Sequence, residues 1–171
     1  TSPTVIAEAG VNHNGDVALA LALVDAAKEA GADMVKFQAF SADSLTSAAA
    51  PAAKYQSDRT GHSNQHAMLK ALELSEDAFR RIADHCAASG IDFLCTPFDL
   101  DQLDFLLSLN MPAIKIASGE LTNGPALALF GRQGKPVYLS TGMATMAEVE
   151  IAVDTLRTAG ATDITALHCT S

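Results

Sequence analysis

The stretch AGADMVKFQAF (30–40) decides the fold. Gly31, just past a helical run, supplies the left-handed residue that stops a helix. The mostly apolar run Met34–Phe40 follows at once and reads as a strand buried on both faces. Within it, Lys36 and Gln38 are the polar residues. The same punctuation recurs at Ser89-Gly90-Ile91-Asp92 and Ala159-Gly160-Ala161-Thr162-Asp163, and Met111-Pro112 and Lys135-Pro136 mark two more strand starts. Five further strands are therefore expected: Val5–Gly10, Asp92–Phe98, Ala113–Ser118, Pro136–Gly142 and Asp163–Ser171. Helical spacing of apolar residues predicts helices over Val17–Ala30, Glu76–Ser89, Asp101–Leu109, Pro125–Gly131 and Met146–Ala159.

This strand–helix–Gly–strand repetition predicts an α/β chain with a parallel sheet. Strands start 21 to 29 residues apart, except for one 58-residue step from Met34 to Asp92. The surplus is an insertion over about 41–75, rich in Ala, Ser and His at first and helical over Gln65–Leu74. Loops of that length in compact folds usually serve function. The glycine pattern at 10–15 is GVNHNG, which is not a dinucleotide fingerprint, and no P-loop is present. The regular units fit a (β/α)8 barrel of the TIM type, of which this chain holds about six βα units. An open six-stranded sheet is the other reading. The barrel reading makes the chain the N-terminal portion of a larger domain.

Composition narrows the function classes. Hydrophobic residues make up 49% and charged residues 18% of the 171 residues, which excludes a disordered chain. A net charge of −9 without a basic run excludes a general nucleic-acid or anionic-membrane surface, so no nucleic-acid and no membrane partner is expected. Any anionic ligand must be met by local cations and backbone N–H groups. No apolar run approaches the roughly 18 residues of a membrane span. The start, Thr1-Ser2-Pro3-Thr4, shows no basic signal region and no initiator Met, so a cytoplasmic protein with a trimmed N-terminus is expected. Cys86, Cys95 and Cys169 are odd in number and form no CxxC; they read as small buried apolar residues in a reducing compartment.

The polar residues carry the functional argument. Glu8, Lys36, Gln38, Thr96, Lys115, Ser118, Ser140, Thr141 and His168 sit in or at the C-terminal ends of the strand runs, where a parallel barrel places its active site. A charge inside a buried strand is costly unless it is paired or binds something, and Glu8, Lys36 and Lys115 are all so placed. The lysines offer point charges for an anion, or serve in structural ion pairs. The hydroxyls of Thr96, Ser118, Ser140 and Thr141 are neutral donors, or bond to nearby backbone. Ser118-Gly119 and Thr141-Gly142 can present backbone N–H groups. Glu8 suits acid–base work or orients a lysine. Within NHNG (12–15), Asn12 and His13 either touch substrate or build a turn. His62 and His66 have i,i+4 spacing, but neither a carboxylate nor a cysteine accompanies them in sequence, which argues against a metal site. His168 reads as a packed histidine.

Six ordered motifs, IAEAGVNHNGD (6–16), AGADMVKFQAF (30–40), FLCTPFD (93–99), IKIASGELTN (114–123), GKPVYLSTGMAT (134–145) and LHCTS (167–171), resemble the sialic acid synthase family over nearly the whole chain. Gly10-Val11 before NHNG is closer to its sialic and legionaminic branches than to the pseudaminic one. The resemblance implies a (β/α)8 barrel followed by a small antifreeze-like domain, both completed beyond residue 171. It implies condensation of phosphoenolpyruvate with an N-acetylated amino sugar, N-acetylmannosamine or a diacetylated relative, to a nonulosonic acid and phosphate. Lys36, Thr96, Lys115, Ser118 and Ser140 would bind phosphoenolpyruvate, and Glu8 would be the general acid/base, with Lys36 and Lys115 in the catalytic set. Gln38 would contact the amino sugar, and Glu120 and Asn123 would hold the lysines. A divalent Mn²⁺ or Mg²⁺ would polarise the sugar aldehyde, with its ligands beyond residue 171 and none among the residues here. The full-length protein would form a homodimer. The chain departs from the family at Ser171, where an asparagine is expected, and offers no clear match near Thr60–Asn64 for another asparagine. Two rival readings remain: a Schiff-base aldolase using Lys36 or Lys115, and a catalytically inactive fragment of the synthase.

Overall fold

A computed structural model describes residues 2–46 and 64–170. The early part of the insertion, with Thr60 and His62, and Ser171 lie outside the described residues. The chain gathers into two compact units, Thr1–Phe93 with Pro97–Asn110, and Leu94–Thr96 with Met111–Ser171.

Three strands, β1 (Ile6–Gly10), β2 (Met34–Ala39) and β3 (Asp92–Pro97), form one sheet in that order. β1 and β2 run parallel, with Glu8 opposite Lys36, and a bulge between Glu8 and Gly10 then sets Gly10 against Phe37. The N–H of Asp92 donates to Asp33 O and that of Phe98 to Ala39 O, so β3 runs parallel to β2. The period of two sorts the faces of β2. Val35, Phe37 and Ala39 are fully buried, whereas Lys36 and Gln38 on the other face are part-exposed. Phe37 stacks on Phe93 with ring centroids 6.2 Å apart.

Helix α1 (Val17–Glu29) starts on Asp16, whose carboxylate accepts from the N–H groups of Ala18 and Leu19. It buries Ala20, Val24 and Ala27. After β2 come the short α2 (Ala42–Leu45) and then α3 (Gln65–Leu72), capped by the Asn64 side chain. Helix α4 (Glu76–Ser89) is capped by Ser75 and buries Ala78, Phe79, Ile82 and Cys86. It stops at Gly90, whose φ of 68° is the left-handed conformation foreseen from the sequence. The helix expected over Asp101–Leu109 divides into a 3₁₀ turn, Leu100–Gln102, and α5 (Leu103–Ser108).

The second unit carries β4 (Ile114–Ile116), β5 (Val137–Ser140) and β6 (Ile164–Leu167), all parallel. β4 is shorter than the expected Ala113–Ser118, because the chain turns into a 3₁₀ segment at Ser118–Glu120. Helix α6 (Gly124–Gly131) has Pro125 in its first turn, and α7 (Met146–Ala159) begins with a reciprocal Thr145–Glu148 capping box. A Cβ on Gly131 would lie 2.7 Å from both Leu156 O and Ala159 Cβ, so glycine is what lets α6 and α7 pack this closely. β6 is the last strand of its sheet and ends at Leu167, four residues before the expected Ser171. His168 therefore stands exposed after the strand, not packed as the sequence suggested. Among the described residues no helix is long and apolar enough to cross a membrane.

Candidate active site

The first unit builds a three-residue polar cluster from adjacent strands. Glu8 and Lys36 are register partners on β1 and β2. Their side chains form an ion pair, with Lys36 11% and Glu8 48% exposed. Gln38, one strand period beyond Lys36, donates from Nε2 to Glu8 Oε1 at 3.3 Å. Gly10 makes room: with φ at 55°, its absent Cβ would fall 3.1 Å from Glu8 Oε1 and 3.5 Å from Gln38 Nε2. Glu8 is thus the pairing partner of Lys36, and its carboxylate is half open to solvent.

The turn after β1 divides the fates of Asn12 and His13. Asn12 is exposed and its N–H donates to Ala9 O. His13 is 1% exposed, packs 6.2 Å from the Phe37 ring, and accepts from the Gly15 N–H through Nδ1 at 3.0 Å. Burial lowers its pKa below the ordinary imidazole value. Nδ1 thus braces the turn, in which Gly15 takes a positive φ of 77°, while the buried Nε2 has no hydrogen-bond partner.

The second unit builds a buried cation site. Lys115, 7% exposed on β4, donates from Nζ to Ser140 Oγ at 2.6 Å and to Ile116 O at 2.8 Å. Ser140 ends β5, one strand period beyond Tyr138, the register partner of Lys115. Thr96 belongs to the same unit and is 2% exposed. Thr141 ties β5 to β6, its Oγ1 and N–H both donating to Leu167 O. Glu120 accepts from Asn123 Nδ2 at 2.7 Å, while Asn123 Oδ1 caps α6 at Ala126 N–H. Glu120 and Asn123 are thus joined to each other and to a helix start.

Cys169 is a member of this second cluster that sequence reasoning missed. Cys86 and Cys95 are buried as expected, but Cys169 is only half-buried. Burial would raise its pKa; hydrogen bonds from the Ser140 hydroxyl, the N–H groups of Thr141 and Gly142 and the Ser118 hydroxyl outweigh that and hold the thiol below its ordinary value. In the geometry the thiol itself donates to Leu167 O at 3.3 Å, and Ser140 accepts from Lys115. The signal in the sequence was the placement of LHCTS at a strand C-terminus.

The insertion supplies one more correction. Asp43 on α2 comes within 2.7 Å of His66 Nε2 on α3, although no carboxylate stands near that histidine in sequence. Lys70 bridges Asp43 and Glu73, and Glu73 accepts from Ala42 N–H, so the network staples α2 to α3. Among the described residues no group of three or more His, Cys, Asp or Glu could hold a metal ion. The divalent metal that the resemblance implies has its expected ligands beyond residue 171.

Parallel βα units with polar groups at strand ends define an α/β enzyme-like chain. Residues 23–171 match the NeuB family, and the chain belongs to it. It is 46% identical, over 98% of its length and 48% of the relative's, to the N,N'-diacetyllegionaminic acid synthase of Legionella pneumophila. It is 36% identical, over 98% of its length and 45% of the relative's, to the N-acetylneuraminate-9-phosphate synthase of Drosophila melanogaster. Among solved structures it is similar to the N-acetylneuraminic acid synthetase of Leptospira borgpetersenii in complex with citrate, with a TM-score of 0.80 and 32% identity over 99% of this chain and 55% of that one. The chain spans about half the length of the curated relatives it matches.

Proposed function

We propose that the protein carrying this chain joins phosphoenolpyruvate to an N-acetylated amino sugar, giving a nonulosonic acid and phosphate. The βα units described here would be part of a (β/α)8 barrel. The observation that carries the reading is the buried Lys115 held on Ser140. In a chain of net charge −9 this is a local anion site, and the relatives' names supply the class of product. Phosphoenolpyruvate needs cations and neutral donors for its phosphate and carboxylate. Lys115, Ser140, Ser118, Thr96 and the Gly142 N–H supply them.

The amino sugar is assigned to the first cluster. Gln38 offers an amide to its hydroxyls. C3 of phosphoenolpyruvate attacks the aldehyde carbon of the open-chain sugar, and the new C–C bond leaves an alkoxide that takes a proton. Water adds at C2, and phosphate departs from the resulting tetrahedral carbon. Glu8, which touches Lys36 and Gln38, passes these protons as general acid and base.

The test is an assay of the full gene product with phosphoenolpyruvate and either N-acetylmannosamine or a diacetylated amino sugar, following phosphate release and acid product by mass spectrometry. Stoichiometric phosphate and nonulosonic acid are expected. Borohydride trapping of a pyruvate adduct on Lys36 or Lys115 would replace this reading with the Schiff-base aldolase.

A further inference from the structure

A cavity of about 280 Å³ opens in the first unit at the N-terminal end of β3, and no assignment above uses it. It lies between α4 and the end of α5. Two features of the sequence leave the space. Ala83 and Ala87, one turn apart on α4, present only methyl groups there. α5 stops at Ser108, and Asn110 then takes a left-handed φ of 57°. The floor is apolar and fixed by packing, with Cys86, Ile91 and Phe93 only 1%, 4% and 5% exposed. Asp92, on the rim, donates its N–H to Asp33 O, just before β2 begins. Gln38 stands near the other end of β2, roughly 16 Å further on at about 3.3 Å per strand residue. The cavity is therefore separate from the Glu8–Lys36–Gln38 cluster.

Its charges are unbalanced. Asp84 on α4 and Asp92 on β3 both line it, and both are exposed. Among the described residues neither carboxylate has an ion-pair partner. Arg80 is the cation on this wall, and it is already held. Its Nη2 donates to Glu76 Oε2 at 2.9 Å, and its guanidinium lies 4.8 Å from the centre of the Phe105 ring. Burial, with the negative charges of Asp25 and Asp92, pushes the Cys86 thiol up to about 12. The floor of the cavity thus feels carboxylates that no cation offsets.

An occupant must bring an apolar body to Ile91 and Phe93 and a positive charge to Asp84 and Asp92. An anion would meet two carboxylates, and a neutral polar group would lose its water partners over the apolar floor. At roughly 30 Å³ per water-sized volume the space holds about nine such volumes, which limits the occupant to a small molecule. We propose that this cavity binds a small organic cation, an ammonium ion carrying an apolar group about the size of a benzyl ring. The inference goes beyond the synthase reading and does not depend on it.

The test titrates the full-length protein by isothermal calorimetry with benzylammonium and with two molecules of similar shape, neutral benzyl alcohol and anionic benzoate. Benzylammonium should bind at one saturable site. Benzyl alcohol should bind at least about tenfold more weakly and benzoate not at all, since the carboxylates favour only the cation. Added salt should weaken benzylammonium, because both carboxylates face solvent. Asp84→Asn combined with Asp92→Asn should weaken benzylammonium at least about tenfold and leave benzyl alcohol unchanged. Ala87→Leu, at an exposed position on α4, should abolish binding of both by filling the space. It removes no charge, so it decides the matter where the paired Asn variant fails to fold. Phosphoenolpyruvate kinetics should be unchanged in each folded variant. Wild type without saturable binding, equal affinity for benzylammonium and benzyl alcohol, or benzylammonium binding that survives either variant would overturn the cation site. None of these outcomes touches the synthase reading, which is read from phosphate release.

Discussion

The two lysines foreseen as functional are held in opposite ways. Lys36 is paired with a carboxylate, Glu8, that is half open to solvent. Lys115 is buried and donates to neutral oxygens, the Ile116 carbonyl and the Ser140 hydroxyl. Ion pairs near the surface contribute about 0–1 kcal/mol, so the first arrangement costs little to build and can exchange partners. A buried charge costs stability unless it is well paired or a ligand makes use of it. The difference separates the two proposed roles: it favours the second site for the anion and the first for proton transfer.

The largest expected effect follows from that difference. Lys115→Met should lower kcat/KM for phosphoenolpyruvate by roughly 2–5 kcal/mol in transition-state terms, at least about thirtyfold. Its thermal stability should stay within about 1 kcal/mol of wild type or rise, because an apolar side chain of similar volume replaces a buried charge. Lys115→Arg should not rescue catalysis, since a planar fork replaces a compact ammonium. Steady-state kinetics and a thermal melt read both halves; a variant with unchanged phosphoenolpyruvate kinetics would make Lys115 a structural residue. Next in size, Glu8→Gln should cut kcat by about a hundredfold while the phosphoenolpyruvate KM stays within a few-fold, since it removes proton transfer but keeps shape. If KM moved and kcat did not, the proton role would pass to another group.

A smaller effect is expected at Gly10. Alanine there must hold φ at 55° and sit 3.1 Å from Glu8 Oε1. Gly10→Ala should cost about 1–2 kcal/mol of stability through the left-handed backbone alone. It should also displace Glu8, lowering kcat several-fold while leaving the phosphoenolpyruvate KM alone. A chemical-denaturation curve matching wild type would show that the β1 bulge relaxes around the new methyl.

What the sequence made legible is what short-range physics controls. Gly90 and Gly160 stop helices where the spacing requires it, because such a stop depends on neighbours within a turn. That Glu8 could orient a lysine was legible, but the choice of Lys36 over Lys115 came from the β1–β2 register. The rest depends on pairings distant in sequence. Nothing near His66 announced Asp43, and nothing near Cys169 announced the donors on Ser118, Ser140 and Gly142. β4 ended early because Ser118 joined a 3₁₀ turn, a choice that the apolar pattern of Ala113–Ser118 does not encode.

The smallest effect separates two cysteines. Burial, with the charges of Asp25 and Asp92, pushes the Cys86 thiol up to about 12. Cys169 is held below the ordinary thiol value despite burial, because Ser140, the Thr141 and Gly142 N–H groups and Ser118 donate to it. The thiolate is the species that alkylates. Near neutral pH, iodoacetamide should therefore label Cys169 first and leave Cys86 unmodified in the folded protein, as read by peptide mass spectrometry. The rate at Cys169 should rise as pH increases through its lowered pKa, before a free thiol would respond. Of these donors, Ser140, Ser118 and the Gly142 N–H are assigned here to phosphoenolpyruvate, so saturating phosphoenolpyruvate or inorganic phosphate should slow labelling of Cys169 by several-fold and leave the other cysteines unaffected. Labelling that ignores both anions would dissociate Cys169 from the Lys115–Ser140 site and remove the strongest support for an anion nest at the end of β5.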